Sequence, residues 1–526
     1  MFSSLLPWPL LAVLLLAVFT HGWNLFHYPY YEGDEGIYVS QAWSTLTQGK
    51  LSPYVYWYDH PPLGWITMAG WSALFGGNFF VFGESSIDHM RVFMLLVHVV
   101  SAALVYYIAR RLGARTAVAA CAVIIFTLSP LFVYYQRRVL LDNLVTLWVL
   151  CSFALLLKSG RSWRTVFLSG AVLGVGVLTK LPALVFAPLF LYVASGGQWL
   201  LDSFQDLSKR ARVQQGVLWL SGLFFVLFLF VGYTFSQGEF LPESVTGNGK
   251  SSFLDGVQFQ LDRDSTHSLL HPQSSFRIAL SDWLRKDTFT VVLGAVSIIF
   301  GLFFAIKDRS LRIVLCGVLI FVAFMMRGGI VTNFHILPVV PFVALLVVLV
   351  VEKITSLFAK NTTRHNVIFW LVIGCIIVAT IETSEKGYLT RDETSNHNAS
   401  VRYIKENLDN DASVMMDVQG LVDLWDPRQI NEKTFPRADW FSKIIHDNYI
   451  QDFKYEGQWQ NIEYTLLSHE LLRQMQNVPE GTLAKDAFTA GLLDREWLDG
   501  ADHVDIDAFQ SSFGNWAALY KTQVTQ

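Results

Sequence analysis

Apolar segments of about the length of a membrane span recur along most of this 526-residue chain, and they restrict its fold more than any other feature does. A helix needs about 20 predominantly apolar residues to cross a bilayer. Segments near that length predict eleven spans, near residues 5–22, 91–109, 116–135, 139–157, 165–181, 182–197, 216–235, 288–306, 310–326, 329–351 and 366–383. The sequence therefore predicts a polytopic α-helical membrane protein.

The composition agrees with this fold class. Hydrophobic residues make up 52% of the chain and charged residues only 16%, whereas soluble proteins have about 25% charged residues. A net charge of -4 gives no reason to expect a nucleic-acid partner. The four cysteines lie in apolar segments, so they indicate no disulfide framework. The first apolar run lacks a basic region before it and an Ala-x-Ala-like site after it, which predicts a retained helix rather than a cleaved signal.

Basic residues predict the orientation, because short connections rich in Lys and Arg are cytoplasmic. Alternate connections carry the basic groups Arg110, Arg111 and Arg115; Lys158, Arg161 and Arg164; Lys209, Arg210 and Arg212; Lys307, Arg309 and Arg312; and Lys353, Lys360 and Arg364. The N-terminus is therefore expected in the cytoplasm. The loop 23–90 and the chain after residue 383 are expected on the extracytoplasmic side of a cell membrane.

The chain divides into two expected domains. Residues 1–383 form a transmembrane domain that includes the extracytoplasmic loop 23–90, in which residues 36–48 and 62–75 have the spacing of short interfacial helices. After residue 383 the long apolar runs end and charged residues return. Residues 401–408 resemble an amphipathic helix and residues 412–417 a strand, so residues 384–526 predict a soluble extracytoplasmic domain of mixed α/β type.

Two acidic and aromatic motifs lie in the loop 23–90. Asp34 and Glu35 are adjacent, so their side chains diverge; one can face a site while the other caps the following helix. In the second motif, Tyr58 suits an aromatic belt at the headgroups, and His60, which follows Asp59, could be a metal ligand, a phosphate contact or a packed turn residue. No dense His/Cys/Asp spacing accompanies them, so a tightly bound metal is not expected.

Later helix ends on the same predicted side carry a second group of charges. Asp142 could pair with Arg138 as an ordinary helix-start acid, and basic residues near headgroups can snorkel. Arg137, Arg138 and Lys180 nevertheless gather at the extracytoplasmic face, against the bias of the other basic residues. Guanidinium groups suit phosphate oxygens, so the cluster suggests a lipid phosphate. His335 precedes two prolines that should break its helix, where it could line a cavity or simply pack.

At these residues the sequence resembles the GT-C glycosyltransferases of the protein O-mannosyltransferase and aminoarabinose (lipid A) transferase superfamily. The resemblance covers about residues 1–350. Its matching pieces, in order, are Asp34-Glu35, the run 59–63, Arg137-Arg138 shortly before Asp142, the run 178–180, and the run 335–341.

The resemblance implies an inverting transfer of a sugar from a polyprenyl-phosphate donor to an acceptor hydroxyl outside the cytoplasm. By position, Asp34 and Asp142 match the family's catalytic acids, and Glu35 is a further candidate. The chemistry needs a base for the acceptor hydroxyl and cations for the departing phosphate. Asp34 is the expected base, and the expected phosphate contacts are Arg137, Arg138, Lys180 and His60. Asp59, Tyr58 and His335 are further cavity candidates.

The remaining expectations concern partners and rival functions. Membrane lipids and a lipid, glycan or protein acceptor are expected partners, with no nucleic acid and no cofactor; a loosely bound divalent cation stays open. A transporter or flippase of lipid-linked sugars is the alternative, although it would place charges in the middle of spans and show inverted repeats. A scaffold protein would leave the charged set without a role.

Overall fold

The computed structural model describes residues 8–493 and 518–521, with gaps at 53, 56–59, 159–161, 198–207, 248–251, 263–268, 270, 328, 359–360, 384–386 and 476. Up to residue 383 the secondary structure is almost entirely helical. The helices are α1 (Trp8–Gly22), α2 (Gly33–Gln48), α3 (Leu63–Ala73), α4 (Ser86–Arg111), α5 (Thr116–Leu128), α6 (Pro130–Gln136), α7 (Leu141–Leu156), α8 (Trp163–Thr179), the 3-10 helix Leu181–Phe186, α9 (Ala187–Ala194), α10 (Lys209–Ser236), α11 (Glu243–Thr246), α12 (Phe253–Asp262), α13 (Ser275–Phe304), α14 (Arg309–Met325), the 3-10 helix Asn333–Val339, α15 (Val340–Phe358) and α16 (Thr362–Thr383).

The predicted apolar segments all form helices or broken helices, so the fold class is confirmed. Within the described residues, five helices are long and apolar enough to cross a membrane, and α5 with α6 would make a sixth if they form one bent span. The helices α1, α7 and α8 and the run Leu181–Ala194 are apolar but shorter. The number eleven therefore stays a prediction.

The segment 116–135, predicted as one helix, is broken at Ser129-Pro130. The two parts, α5 and α6, are bent by 64°. Pro130 has no N–H to donate to the preceding turn, and its ring prevents an uninterrupted helix. Ser129 instead starts α6 by accepting a hydrogen bond from the Phe132 N–H at 3.4 Å. Since α6 ends at Gln136, the next two residues form the turn that leads into α7.

The two helices predicted inside the first loop are confirmed as α2 and α3. At the start of α2, the Glu32 N–H donates to the Glu35 carboxylate at 3.0 Å, as part of a reciprocal capping box. The helix ends at Gly49, whose φ of 68° is the left-handed conformation that a glycine adopts easily. This local chemistry fixes Asp34 in the first turn of α2.

The C-terminal region begins after residue 386 and has mixed α/β structure. Its elements are α17 (Gly387–Thr390), α18 (Ser395–Asn407), β1 (Val414–Met416), the 3-10 turn Val418–Gly420, α19 (Leu421–Trp425), the 3-10 turn Ile430–Glu432, β2 (Ala438–Trp440), α20 (Phe441–His446), the π-helical turn Ile450–Lys454, the 3-10 turn Trp459–Asn461, β3 (Tyr464–Leu467), α21 (His469–Met475), α22 (Leu483–Leu493) and β4 (Ala518–Lys521). The predicted helix 401–408 and strand 412–417 correspond to α18 and β1.

The four strands form one sheet in the order β2-β1-β3-β4. β1 is parallel to β2 and to β3, with Val414 opposite both Ala438 and Tyr464, whereas β3 and β4 are antiparallel. The carboxyl ends of β1, β2 and β3 therefore lie along one edge of the sheet. The predicted domain boundary at residue 384 falls in a gap of the described residues and stays a prediction.

Candidate active site

Asp34 lies half-buried in the first turn of α2. The hydroxyl of Tyr38, one helical turn further on, donates to its Oδ2 at 3.4 Å. The ring of Tyr38 in turn lies 6.2 Å from the ring of His60. The predicted base, a buried tyrosine and the predicted His60 contact therefore form one chain of neighbours.

Glu35 has a different environment from that of Asp34. Its side chain is completely buried and receives two hydrogen bonds from the Arg91 guanidinium, from Nε at 3.1 Å and from Nη2 at 2.9 Å. The Val139 N–H donates to the same carboxylate at 2.9 Å. Together with the bond from the Glu32 N–H, these contacts use the acceptor capacity of both oxygens. The geometry thus favours a positioning role for Glu35 over the predicted catalytic one.

Arg138 is held at the start of α2 by an acidic and two aromatic neighbours. It forms an ion pair with Glu32 and donates to the Tyr134 hydroxyl at 3.0 Å. Its guanidinium carbon lies 4.3 Å from the centre of the Tyr30 ring and 4.4 Å from that of Tyr134. Within the described part of the chain, its buried Nε has no hydrogen-bond partner. Arg138 therefore brings a fixed positive charge to the start of α2.

Arg137 points elsewhere and is bound mainly to the main chain. Its guanidinium donates to the carbonyls of Thr20, Tyr28 and Tyr388 at 2.5, 3.4 and 3.3 Å. These bonds tie the turn after α6 to α1, to the first loop and to α17. These contacts hold Arg137 to the main chain, while its buried Nε, like that of Arg138, has no hydrogen-bond partner among the described residues. The predicted phosphate contact of Arg137 stays a prediction.

Asp142 and Lys180 form a buried ion pair with Nζ 2.7 Å from Oδ2. Asp142 lies in the first turn of α7, and Lys180 is the residue at which α8 ends. The Lys180 ammonium also lies 4.7 Å from the centre of the Phe334 ring. The predicted alternative, in which Asp142 pairs with Arg138, is wrong, because each of these residues has another partner of opposite charge.

Close packing joins these pieces into one site. A Cβ added at Gly64, in the first turn of α3, would lie 2.5 Å from Leu141 and 3.1 Å from Thr179. The turn after His60 therefore packs directly against the residues that precede Asp142 and Lys180. On the other side, the bond from the Val139 N–H to Glu35 joins the start of α7 to the start of α2.

The other predicted cavity residues are placed less centrally. Tyr58 and Asp59 lie outside the described residues. His335 accepts a hydrogen bond from the Thr332 N–H through Nδ1 at 3.1 Å and so starts the 3-10 helix that precedes α15. The two prolines do not interrupt the helix as predicted: the 3-10 helix continues directly into α15, and Asn333–Phe358 forms one helix that changes its type there. The neighbour of His335, Phe334, contacts Lys180.

An apolar groove of about 270 Å³ runs beside this site. It is lined by α3, by the ends of α2 and α8, and by α10, and Leu63 and Leu178 connect it to His60 and Lys180 respectively. Among its described lining residues, Lys50 alone is charged. Within the described residues no group of three His, Cys, Asp or Glu side chains could hold a metal ion.

Three residues at this site were missed by the sequence analysis: Arg91, Tyr38 and Lys50. Arg91 carried a usable signal, since an arginine near the start of an apolar helix is costly unless it has a partner. Tyr38 is found by helical spacing, one turn after Asp34. Nothing in the sequence pairs Lys50 with a groove, because the groove is built from helices distant in the chain.

The fold is similar to those of two solved membrane glycosyltransferases. One is ArnT from Cupriavidus metallidurans bound to undecaprenyl phosphate, with a TM-score of 0.55 and 13% identity over 98% of this chain and 98% of that one. The other is the oligosaccharyltransferase AglB from Archaeoglobus fulgidus in complex with an inhibitory peptide and a dolichol-phosphate, with a TM-score of 0.55 and 11% identity over 88% of this chain and 69% of that one. The protein is therefore a multi-pass membrane protein with the GT-C glycosyltransferase fold.

Within that fold, residues 59–233 match the model of the dolichyl-phosphate-mannose-protein mannosyltransferase family. The matched segment contains the run from His60 to Gly64, both arginines of the α6–α7 turn, Asp142 and Lys180. The resemblance predicted from the sequence is thereby confirmed, and the match supports a glycosyltransferase over a transporter. No curated protein sequence matches the chain.

Proposed function

We propose that this protein is an inverting glycosyltransferase that moves a sugar from a polyprenyl-phosphate donor to an acceptor hydroxyl on the extracytoplasmic side of the membrane. One observation carries the proposal. The turn that carries the half-buried Asp34 is joined through Glu32 to the buried Arg138, and the turn after His60 packs against Leu141 and Thr179, which precede the buried Asp142–Lys180 pair, beside an apolar groove. The polyprenyl phosphates in the names of the matched family and of ArnT have the same combination of anionic head and apolar tail.

Asp34 is assigned the role of general base. In the transfer, the acceptor oxygen forms a bond to the anomeric carbon while the bond from that carbon to the phosphate oxygen breaks. The acceptor loses its proton to Asp34, and the polyprenyl phosphate leaves with the bonding electron pair. A base within hydrogen-bond distance of the acceptor contributes to such a step by a factor of about 10² to 10⁴.

Arg138 and Lys180 are assigned to the donor phosphate. The leaving group gains negative charge in the transition state, and a fixed cation in a water-poor site stabilises that charge without reorganisation. Lys50, on the wall of the groove, is a third candidate. Asp142 holds Lys180 in place through its 2.7 Å contact, and in this proposal it acts through the lysine.

The apolar groove is assigned to the isoprenoid chain. Its walls of Leu63, Ile66, Leu178 and Phe230 suit a hydrocarbon, and it begins near the cations that would bind the phosphate. This arrangement places the head of the donor by the site and its tail towards the lipid. The predicted orientation, with the site and the C-terminal region outside the cytoplasm, is part of the same proposal.

A dedicated metal is not required in this scheme, because Lys180 supplies a positive charge next to Asp142. We therefore expect activity to survive treatment with a chelator such as EDTA. Loss of activity in EDTA that returns on addition of Mn²⁺ or Mg²⁺ would contradict this part of the proposal.

The test is a transfer assay on the full chain in proteoliposomes, with a panel of radiolabelled polyprenyl-phosphate hexoses and pentoses as donors and membrane extract of the source cells as acceptor. Asp34→Asn keeps the shape of the side chain but removes the base, so we expect transfer to fall by about 10² to 10⁴. Glu84→Gln is the control, because Glu84 is an exposed carboxylate that pairs with Arg402 on the surface. Wild-type transfer by Asp34→Asn, or donor translocation without cleavage of the sugar–phosphate bond, would overturn the proposal.

A further inference from the structure

The outer face of the first turn of α2 is covered by the C-terminal region. A Cβ added at Gly36 would lie 2.6 Å from the carbonyl carbon and oxygen of Val418 and from the nitrogen of Gln419. These are main-chain atoms, which cannot rotate away as a side chain can. The 3-10 turn Val418–Gly420 therefore packs against the helix with no room for a side chain, two residues away from Asp34.

Gln419 adds a hydrogen-bonded contact at the same point. It is buried, and its amide is best satisfied when its oxygen accepts from the Gly33 N–H at 3.2 Å while its nitrogen donates to both oxygens of Asp417 at 3.3 Å. The orientation of such an amide is assigned from its hydrogen bonds. The Gly33 N–H is one of the donors at the start of α2 that have no partner within the helix. Gln419 thus caps the helix that carries Asp34.

A second contact holds the part of the first loop that leads to His60. The Tyr54 hydroxyl donates to Asp439 Oδ1 at 3.0 Å and accepts from the Trp440 N–H at 2.9 Å. The Tyr54 ring also lies edge-on against Trp425, with the ring centres 5.1 Å apart. Tyr54 is therefore anchored to the C-terminal region through both its hydroxyl and its ring.

Both contacts belong to the same edge of the sheet. Gln419 follows β1 by three residues, and Trp440 is the last residue of β2. β1 and β2 are hydrogen-bonded neighbours, with Met415 opposite Asp439 and Met416 opposite Trp440. Because a paired sheet is stiffer than a loop, the distance between the two contact points is fixed by the sheet. It fixes in turn the distance between the start of α2 and Tyr54 in the first loop.

We infer that the carboxyl edge of the C-terminal sheet positions the Asp34 turn and the Tyr54 segment of the first loop relative to each other, so that this region takes part in the transfer step itself. The inference depends on the proposed function, in which Asp34 is the base. Gln419 and Tyr54 are positioning residues here, since they act through α2 and through the loop. A displacement of about 1 Å between reacting groups can cost on the order of 10²-fold in rate. Neither Gln419 nor Tyr54 is among the described lining residues of the donor groove.

The sharpest test compares two tyrosines that bind the same carboxylate. Tyr54 donates to Asp439 Oδ1 at 3.0 Å, and Tyr455 donates to Asp439 Oδ2 at 3.0 Å, but Tyr455 belongs to the C-terminal region itself. Each phenylalanine variant removes one hydrogen bond to Asp439, and only Tyr54→Phe removes a hydrogen bond between the first loop and the C-terminal region. We expect Tyr54→Phe to lower kcat by about tenfold or more with the KM for the donor unchanged. We expect Tyr455→Phe to keep kcat within about twofold of wild type.

A glycine pair tests the second contact. Gly36→Ala forces the 3-10 turn away from α2, whereas Gly70→Ala places the same methyl on α3, where nothing lies within 4 Å. We expect a loss of kcat in Gly36→Ala that exceeds the loss in Gly70→Ala by about tenfold. Melting temperatures of all four variants, measured in detergent, identify any variant whose loss reflects unfolding, and Gln419→Leu replaces Gly36→Ala if the latter unfolds.

The outcomes separate this inference from the proposed function. Equal losses in Tyr54→Phe and Tyr455→Phe, wild-type kcat in Tyr54→Phe and Gly36→Ala, or a rise in donor KM at unchanged kcat would overturn the inference while leaving the function intact. Wild-type transfer by Asp34→Asn would instead overturn the assignment on which the inference rests. Selective loss of kcat in Tyr54→Phe and in Gly36→Ala or Gln419→Leu, with an inactive Asp34→Asn, supports both.

Discussion

Two buried ion pairs at the candidate site, Glu35–Arg91 and Asp142–Lys180, differ in how many of their hydrogen-bond donors the protein itself uses. Glu35 and Arg91 join α2 to α4, with all five N–H groups of the guanidinium in hydrogen bonds: two to Glu35 and three to the carbonyls of Leu25, Pro29 and Tyr30. Both pair members have completely buried side chains. We call this pair saturated, because the protein itself uses every hydrogen-bond donor of the Arg91 guanidinium.

The pair Asp142–Lys180 joins α7 to α8 and is far from saturated. Among the described residues, the Lys180 ammonium makes one hydrogen bond, to Asp142, although it has three N–H groups. Its other close neighbour is the face of the Phe334 ring. A buried ammonium with donors to spare can still bind an anion, whereas the Arg91 guanidinium cannot.

The difference separates structural charge from functional charge. A buried ion pair is tolerated when its remaining donors and acceptors are satisfied, and removing one partner of such a pair is strongly destabilising. The saturated pair fixes the main chain around Asp34, since three of its bonds go to loop carbonyls. The unsaturated pair leaves capacity for a ligand. Variants of the first pair should therefore affect folding, and variants of the second should affect turnover.

The largest expected effect is on stability, in Arg91→Lys. A lysine keeps the charge but has three donors in place of five and cannot bind a carboxylate through two parallel bonds. Buried carbonyls of the first loop would lose their partners, so we expect the free energy of unfolding to fall by roughly 3–5 kcal/mol. Thermal unfolding in detergent measures this.

The control for Arg91→Lys is Arg402→Lys. Arg402 forms a 2.5 Å pair with Glu84, in which both side chains are about half exposed, and such surface pairs contribute about 0–1 kcal/mol. Equal melting temperatures for Arg91→Lys and wild type would show that the first pair is not the structural one.

The next effect is on activity, in Lys180→Met. Methionine keeps much of the length of the side chain and removes the charge that we assign to the donor phosphate. Loss of one such stabilising group costs about 10² to 10³ in rate, so kcat/KM for the donor should fall by about that factor. The transfer assay in proteoliposomes measures it, with the exposed Lys209→Met as control.

A double variant separates the charge from the packing. Lys180→Met leaves the buried Asp142 carboxylate without its cation, which also lowers stability. Asp142→Asn combined with Lys180→Met removes both charges, so it should regain most of the lost melting temperature and none of the activity. Recovery of transfer in the double variant would mean that Lys180 serves only to neutralise Asp142.

The parts of this architecture that depend on local patterns could be predicted from the sequence. Apolar segments predicted the helices, the spacing in loop 23–90 predicted α2 and α3, and the order of the charged motifs predicted that their segments would meet. The break at Pro130 was not predicted, because the apolar pattern continues across the proline without interruption.

The identity of the partners could not be predicted in the same way. Glu35 and Arg91 are 56 residues apart, and Tyr54 and Asp439 are 385 apart, with no local pattern linking either pair. Asp34 and Glu35 are adjacent and similar in chemistry, and only the direction in which each leaves α2 decides which one is buried against Arg91. Arg137 and Arg138 diverge for the same reason. These distinctions depend on three-dimensional packing.

The smallest expected effect concerns Asp423, a buried carboxylate that no cation bonds among the residues the structure describes. It accepts from the Ser86 N–H at 2.9 Å, and within the described residues its other oxygen has no partner. Burial raises the pKa of Asp423 to about 7, with the nearby Asp88 acting in the same direction and Lys405 opposing it. Glu35 and Asp142 are stabilised as carboxylates by a neighbouring cation, whereas Asp423 remains buried as a neutral carboxyl group that keeps its proton.

The sign of the resulting pH dependence follows from that raised pKa. The unfolded chain ionises Asp423 near pH 4, so its contribution to stability is full below that pH and is lost as the pH rises through about 7. Asp423→Asn cannot ionise, so its stability relative to wild type should rise by roughly 2–3 kcal/mol between pH 5 and pH 8. Melting temperatures of both proteins between pH 5 and 8 measure this, and the exposed Asp411→Asn should follow wild type. Histidines that titrate over the same range affect variant and wild type equally, so their contribution cancels in the difference between the two melting temperatures. If that difference does not grow with pH, Asp423 is ionised in the folded protein and has a cation partner.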